Sequence, residues 1–92
     1  EGSAYRALGK IQAATRNPNE ARKYLNLSLD IFRELGDEGE VAYTLNDIAN
    51  FEYEAGDTGK ARETCAEALE MAKKLGIRKI VEQMTDLEQK LA

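Results

Sequence analysis

Tyr43, Asn46, Asn50 and Tyr53 follow one another at spacings of three, four and three, the interval that brings side chains onto one face of a helix. Asparagine is a poor helix former, because its side chain competes for nearby backbone hydrogen bonds. Two readings are open for such a face: asparagines tolerated on a solvated surface, or asparagines retained to hydrogen-bond the backbone of a partner, with tyrosines supplying contact area beside them. Groups suited to covalent or acid–base chemistry are scarce. Glu52 and Glu54 are close on the same helix but have no neighbouring base, no metal-ligand pattern and no glycine-rich phosphate loop. "GDTGK" at 56–60 lacks the glycine spacing and the strand that a phosphate loop needs. Cys65 has no second cysteine to pair with, and the chain has no histidine to activate it. It stands four residues after Ala61 and four before Leu69, which predicts a small buried hydrophobe. The expectation is a protein that is not an enzyme, with no cofactor and no metal.

The elements that would carry these residues are written twice. "EARKYLNLSLDIFRELGD" at 20–37 returns forty residues later as "KARETCAEALEMAKKLGI" at 60–77, with Ala21/Ala61, Arg22/Arg62, Leu29/Leu69, Leu35/Leu75 and Gly36/Gly76 in register. A period of that size marks a solenoid of stacked helical units. Ninety-two residues with 42% hydrophobic and 33% charged content fit one domain. The net charge of −4, with both signs interspersed, gives no reason to expect nucleic acid or an anionic membrane as partner. No apolar run approaches the roughly 18 residues of a membrane span. A single cysteine fits reducing surroundings, and a cytoplasmic location is expected. The chain starts at Glu1 rather than methionine, and it is expected to be a piece of a longer protein.

Five helices are predicted. The first covers about 4–15, with Ser3 as N-cap and Tyr5, Leu8, Gly9 and Ile11 pointing inward. Asn17 caps a second helix with Pro18 in its first turn, and Ala21, Leu25, Ser28, Leu29, Phe32 and Leu35 carry its buried face to Gly36. The third, about 39–55, buries Val41, Leu45, Ile48 and Ala49. Gly56 stops it, Asp57 caps the fourth over about 58–75, and Gly76 ends that one. The fifth, about 78–91, has Ile80, Met84, Leu87 and Leu91 on its apolar face. Charged positions such as Arg62, Glu63, Glu67 and Glu70 read as the solvated outer face.

The alternation Leu45, Ile48, Ala49, "AGD" at 55–57, Ala61, Ala68 and Leu69, matched earlier by Tyr5, Leu8, Gly9, Ala21, Ser28 and Leu29, resembles the tetratricopeptide repeat. The small residues let paired helices approach closely. Gln12 and Glu52 stand where the family uses tyrosine, the proline that ends its second helix is absent, and the period exceeds the family's usual thirty-four or so. The longer second helix resembles the subclass found in kinesin light chains and bacterial signalling regulators. The resemblance implies an all-α, right-handed α-solenoid of antiparallel helix pairs: repeat one at about 2–36, repeat two at about 39–76, and a helix at about 78–91 that is either a cap or half of a third repeat. In the second case its outer face stays sticky, and weak self-association through it is expected.

The resemblance also implies a concave groove lined by the first helix of each repeat. On that face lie Ser3, Arg6, Lys10, Ala13 and Ala14 from the first helix, and Tyr43, Asn46, Asn50, Tyr53 and Glu54 from the third. Some family members clamp a C-terminal carboxylate here with cations and asparagines on three successive helices. In this chain Arg6 and Lys10 occupy the first helix's positions, but Asp47, Glu82 and Asp86 fall on the others, where they would repel a carboxylate. The expected function is a protein–protein interaction module that takes a peptide or helix with a basic segment directed toward Asp47, Glu54, Glu82 and Asp86. The alternative is a sensor segment of a signalling or transcription regulator, binding a small effector or its own partner domain.

Overall fold

Glycine and aspartate punctuate this chain at nearly every turn. The computed structural model describes residues 1–92 as five helices: α1 (Gly2–Ala14), α2 (Pro18–Leu35), α3 (Glu38–Glu54), α4 (Thr58–Leu75) and α5 (Arg78–Leu91). Gly36 and Gly76 end α2 and α4 in the left-handed region, at φ 68° and 73°. The following amide then turns back onto the helix, Asp37 N to Phe32 O at 3.0 Å and Ile77 N to Ala72 O at 2.9 Å, the bond that satisfies an orphan carbonyl at a helix end. Asp37 and Asp57 open α3 and α4, each Oδ1 accepting from the amide three residues on, at 3.2 and 3.3 Å.

The turn between the paired helices is built the same way twice, with one difference. Gly56 takes φ 83° while Asp57 N reaches Glu52 O at 2.9 Å; in the first pair Arg16 takes φ 63° while Asn17 N reaches Gln12 O at 2.8 Å. Arg16 is the one residue with a side chain in this conformation, and its Cβ makes it a strained version of the same turn. Two expected caps are absent. Helix α1 begins at Gly2, so Ser3 lies inside its first turn, and no side chain caps it. Asn17 stands at the N-cap of α2, but its amide donates backward to Gln12 Oε1 (2.9 Å) and Thr15 Oγ1 (3.1 Å) rather than capping.

Helices pair as α1 with α2 and α3 with α4, and α5 packs on α4. Small residues set the approach. A Cβ on Gly9 would lie 2.7 Å from Leu25 Cγ and 3.2 Å from the Leu25 backbone nitrogen, and one on Gly2 would lie 2.7 Å from Phe32 Cζ. The second pair uses Ala42 and Ala49, both fully buried, at the matching positions. Ser28 is also fully buried and donates to Gly2 O at 2.8 Å, tying α2 to the start of α1. The core joins Leu25, Leu29 and Phe32 of α2, Val41, Leu45 and Ile48 of α3, Cys65 and Leu69 of α4, and Ile80, Met84, Leu87 and Leu91 of α5.

Three residues expected inside are exposed: Leu8 by 39%, Ile11 by 56% and Leu35 by 72%. The forty-residue period explains the first two. Leu8 and Ile11 match Ile48 and Phe51, which are buried on the side of α3 that meets α2. In α1 the corresponding side has no helix against it, and the stripe that faces α2 is the small one through Gly2 and Gly9. Leu35 is the last residue of α2 and overhangs the pair. Arg62 also departs from its expected role as a merely solvated charge. Its Nε and Nη2 donate to Leu91 O at 3.0 and 2.7 Å and cap the C-terminus of α5. The fold is an all-α helical-repeat solenoid, and no helix is long and apolar enough to cross a membrane.

Candidate functional site

The odd-numbered helices share one side of the molecule, and a cavity of about 370 Å³ opens between them. Its walls come from Lys10, Ala13 and Ala14 of α1, Asn46, Asp47, Asn50, Phe51 and Glu54 of α3, and Gln83 of α5, with Leu25 of α2 at its floor. A second hollow of about 540 Å³ continues from it past Arg16 and Pro18, sharing Ala13, Ala14, Phe51 and Glu54. Small residues on α1 leave the room; longer side chains at Ala13 and Ala14 would fill it.

Charges cross the cavity mouth in pairs. Arg6 Nη1 donates to Glu40 Oε2 at 3.0 Å, Arg6 Nε stands 3.5 Å from Asp47 Oδ2, and Lys10 Nζ is 3.9 Å from Asp47 Oδ1. The Arg6 guanidinium also lies 6.0 Å from the Tyr43 ring centre, a cation–π distance. Burial pushes the Asp47 carboxyl above its ordinary range, although Lys10, Arg6 and the neighbouring Asn46 amide pull the other way. Desolvation therefore outweighs the two cations at this carboxylate. Asn46 is 7% exposed; its Nδ2 donates to Gln83 Oε1 at 3.0 Å, and its Oδ1 has no partner. Tyr53, at the far end of α3, sits 6.0 Å beneath Lys90 Nζ of α5.

The sequence-predicted residues do not all meet in one place, and Tyr53, under Lys90, lines neither hollow. Lys10, Asn46, Asp47, Asn50 and Glu54 surround one cavity, and Arg6 and Tyr43 are joined to it through Asp47. Glu82 and Asp86 are exposed on α5, line neither hollow and make no ion pair. Gln83, beside them, is the α5 residue that hydrogen-bonds α3, through Asn46. Its position one place before the inward-facing Met84 was the available signal. Glu40 and the apolar floor of Leu25 and Phe51 also went unread. Phe51 carries no polar atom, and Glu40 is one turn N-terminal of the asparagine face.

Outside the groove, the Glu52/Glu54 couple does not exist as a pair. Glu52 is buried, with Oε1 unpartnered in a smaller hollow between Arg22 and Lys60, whereas Glu54 is exposed at the cavity rim. Cys65 is buried and its thiol donates to Met84 O at 3.2 Å. Burial, with Glu88 nearby, raises its pKa, which suits a packing role.

The family model for the tetratricopeptide repeat matches residues 1–74, which span both helix pairs. The chain belongs to the tetratricopeptide repeat family. A comparison with curated proteins finds no significant match. Tetratricopeptide repeats generally mediate protein–protein interaction.

Proposed function

We propose that this tetratricopeptide domain is a non-enzymatic protein-interaction module of the cytoplasm that takes a peptide or short helix of a partner along the α1, α3 and α5 side. The observation that carries the reading is the cavity itself: one continuous hollow, walled by three helices, whose rim alternates hydrogen-bonding side chains with an apolar floor. Asn50 and Gln83 can meet a partner backbone, and Tyr43 and Tyr53, each about one-third exposed, offer contact area on either side. The ligand carries a basic residue rather than an acidic C-terminal tail. Arg6, the cation that a carboxylate would need, is already held between Glu40 and Asp47.

We also read α5 as a cap. At the positions that match Ala42, Leu45 and Ala49 it bears Glu82, Thr85 and Gln89, polar residues unsuited to receive a second helix in the way α3 receives α4.

Selection from a displayed peptide library at low salt tests the groove reading. Enriched peptides are expected to bind the wild-type domain at micromolar Kd and to lose about tenfold or more when Asn50, Tyr43 and Tyr53 are replaced together by alanine. Enriched peptides that ignore this triple change, or a consensus ending in acidic residues, would contradict it.

A further inference from the structure

We propose that the open face of α1 docks an amphipathic helix of a separate partner protein, seated as α2 is seated on α3. The forty-residue period carries the inference, because residues one period apart hold equivalent places. Ile11, Phe51 and Leu91 form one such set, and Ala4, Thr44 and Met84 another. In α3 this face is covered by α2: the Arg22 guanidinium lies 5.5 Å from the Phe51 ring centre, and Arg22, Leu25 and Asn26 enclose a hollow with Ile48 and Phe51. In α5 it is covered by α4, where Arg62, one period after Arg22, donates to Leu91 O at 2.7 Å and Cys65, one period after Leu25, donates to Met84 O at 3.2 Å. Phe51 and Leu91 are accordingly 8% and 4% exposed, whereas Ile11, in the same place, is 56% exposed. Leu8 is open too, although its counterpart Ile48 is buried. One interface is thus built twice in this chain, and a third receiving face stands without its covering helix.

The chemistry of the face fits one kind of occupant. Ala4, Ala7, Leu8, Ile11 and Ala14 run along it and Thr15 closes it, all exposed and none charged, so the partner helix presents an apolar stripe. From Ala4 to Thr15 the face extends about 17 Å, which asks for a helix of three turns or more. Apolar residues four apart, as Leu25 and Leu29 are on α2, anchor such a helix. A second copy of this chain does not supply it, since its α2 and α4 are already engaged on α3 and α5. Protein–protein interaction is the general role of the family, which makes a partner protein the donor. The face is distinct from the groove, and so are their ligands: a short displayed peptide does not hold a helix on its own in water.

The test is an amide chemical-shift titration of the domain, at a concentration where sedimentation shows a monomer, with an alanine-rich helix stapled on one side and bearing two leucines four residues apart on the other. The probe is expected to shift the amides of Ala4, Leu8 and Ile11 saturably, at a high-micromolar Kd. Exchanging its leucines for glutamine should weaken binding about tenfold or more, as should Leu8→Glu with Ile11→Glu in the domain, whereas Asn50→Ala should change nothing. Absence of a saturable shift would overturn the proposal, and so would binding that ignores the probe's leucines or the Leu8 and Ile11 changes. Shifts confined to Asn50, Tyr53 and Gln83 would overturn it as well, while leaving the groove reading in place. Repeating the titration on the full-length native polypeptide should leave the affinity unchanged. A segment of that polypeptide already seated on Leu8 and Ile11 would overturn the separate partner as occupant.

Discussion

Arg16 occupies a place that the second repeat gives to Gly56. Both residues carry the chain through a left-handed turn, at φ 63° and 83°, with the same pair of backbone bonds closing behind them. A Cβ in that region costs of order 1 kcal/mol, and glycine gives back part of the gain through its freer unfolded state. Arg16→Gly is therefore expected to raise stability by about 0.5–1 kcal/mol in urea melts; a loss would mean that the arginine side chain holds the turn by a contact of its own. Asp47 gives a second prediction at this scale. Its folded pKa is raised, because burial outweighs Lys10 and Arg6, so its charged form is less stable in the native state than in the unfolded chain. That penalty is present at neutral pH and disappears as pH falls through the raised folded value. Compared with the wild type, Asp47→Asn should be favoured most at pH 7, with the advantage shrinking toward pH 4 in paired urea melts. An advantage that grows on acidification would show that the ion pairs dominate.

The contact between α1 and α2 depends on absent side chains. Gly9 sits against both the side chain and the backbone nitrogen of Leu25, and a backbone neighbour cannot turn aside. Gly9→Leu should destabilise the domain by about 1–3 kcal/mol or more, and Ala61→Leu, at a fully buried site on α4, by a similar amount. Glu67→Leu on the outer face should change little, since its pair with Arg33 is exposed. Equal tolerance at all three positions would reject the packing described here. The same small residues made the elements legible in advance. Gly36, Gly56, Gly76 and Asp57 are local signals that act where they stand, and they placed the helix ends within a residue or two. Leu8 and Ile11 were misread because periodicity identifies an apolar stripe but not which neighbour covers it. The position of Gln83 against Asn46 depends on how α5 leans on α3, and no local pattern encodes that.

Across the whole molecule the two ends differ. At the α1 end, Ala4, Leu8 and Ile11 lie open, and Leu27 of α2 is 37% exposed; the α5 end presents Glu82, Thr85 and Gln89. Any self-association of the chain at high concentration should therefore run through α1 of two copies rather than through α5. Sedimentation of Leu8→Glu with Ile11→Glu should show that association lost and the melting midpoint little changed. Association that persists in this variant and disappears on changing α5 would reverse the assignment. The groove lies between these ends and is reached from one side of the solenoid. The most direct measurement is an amide chemical-shift map of the domain bound to a library-selected peptide. The large shifts are expected to trace Lys10 to Ala14, Tyr43 to Glu54 and the neighbourhood of Gln83, leaving the outer faces of α2 and α4 unmoved. Shifts concentrated on those outer faces, or on the open stripe of Leu8 and Ile11, would contradict it.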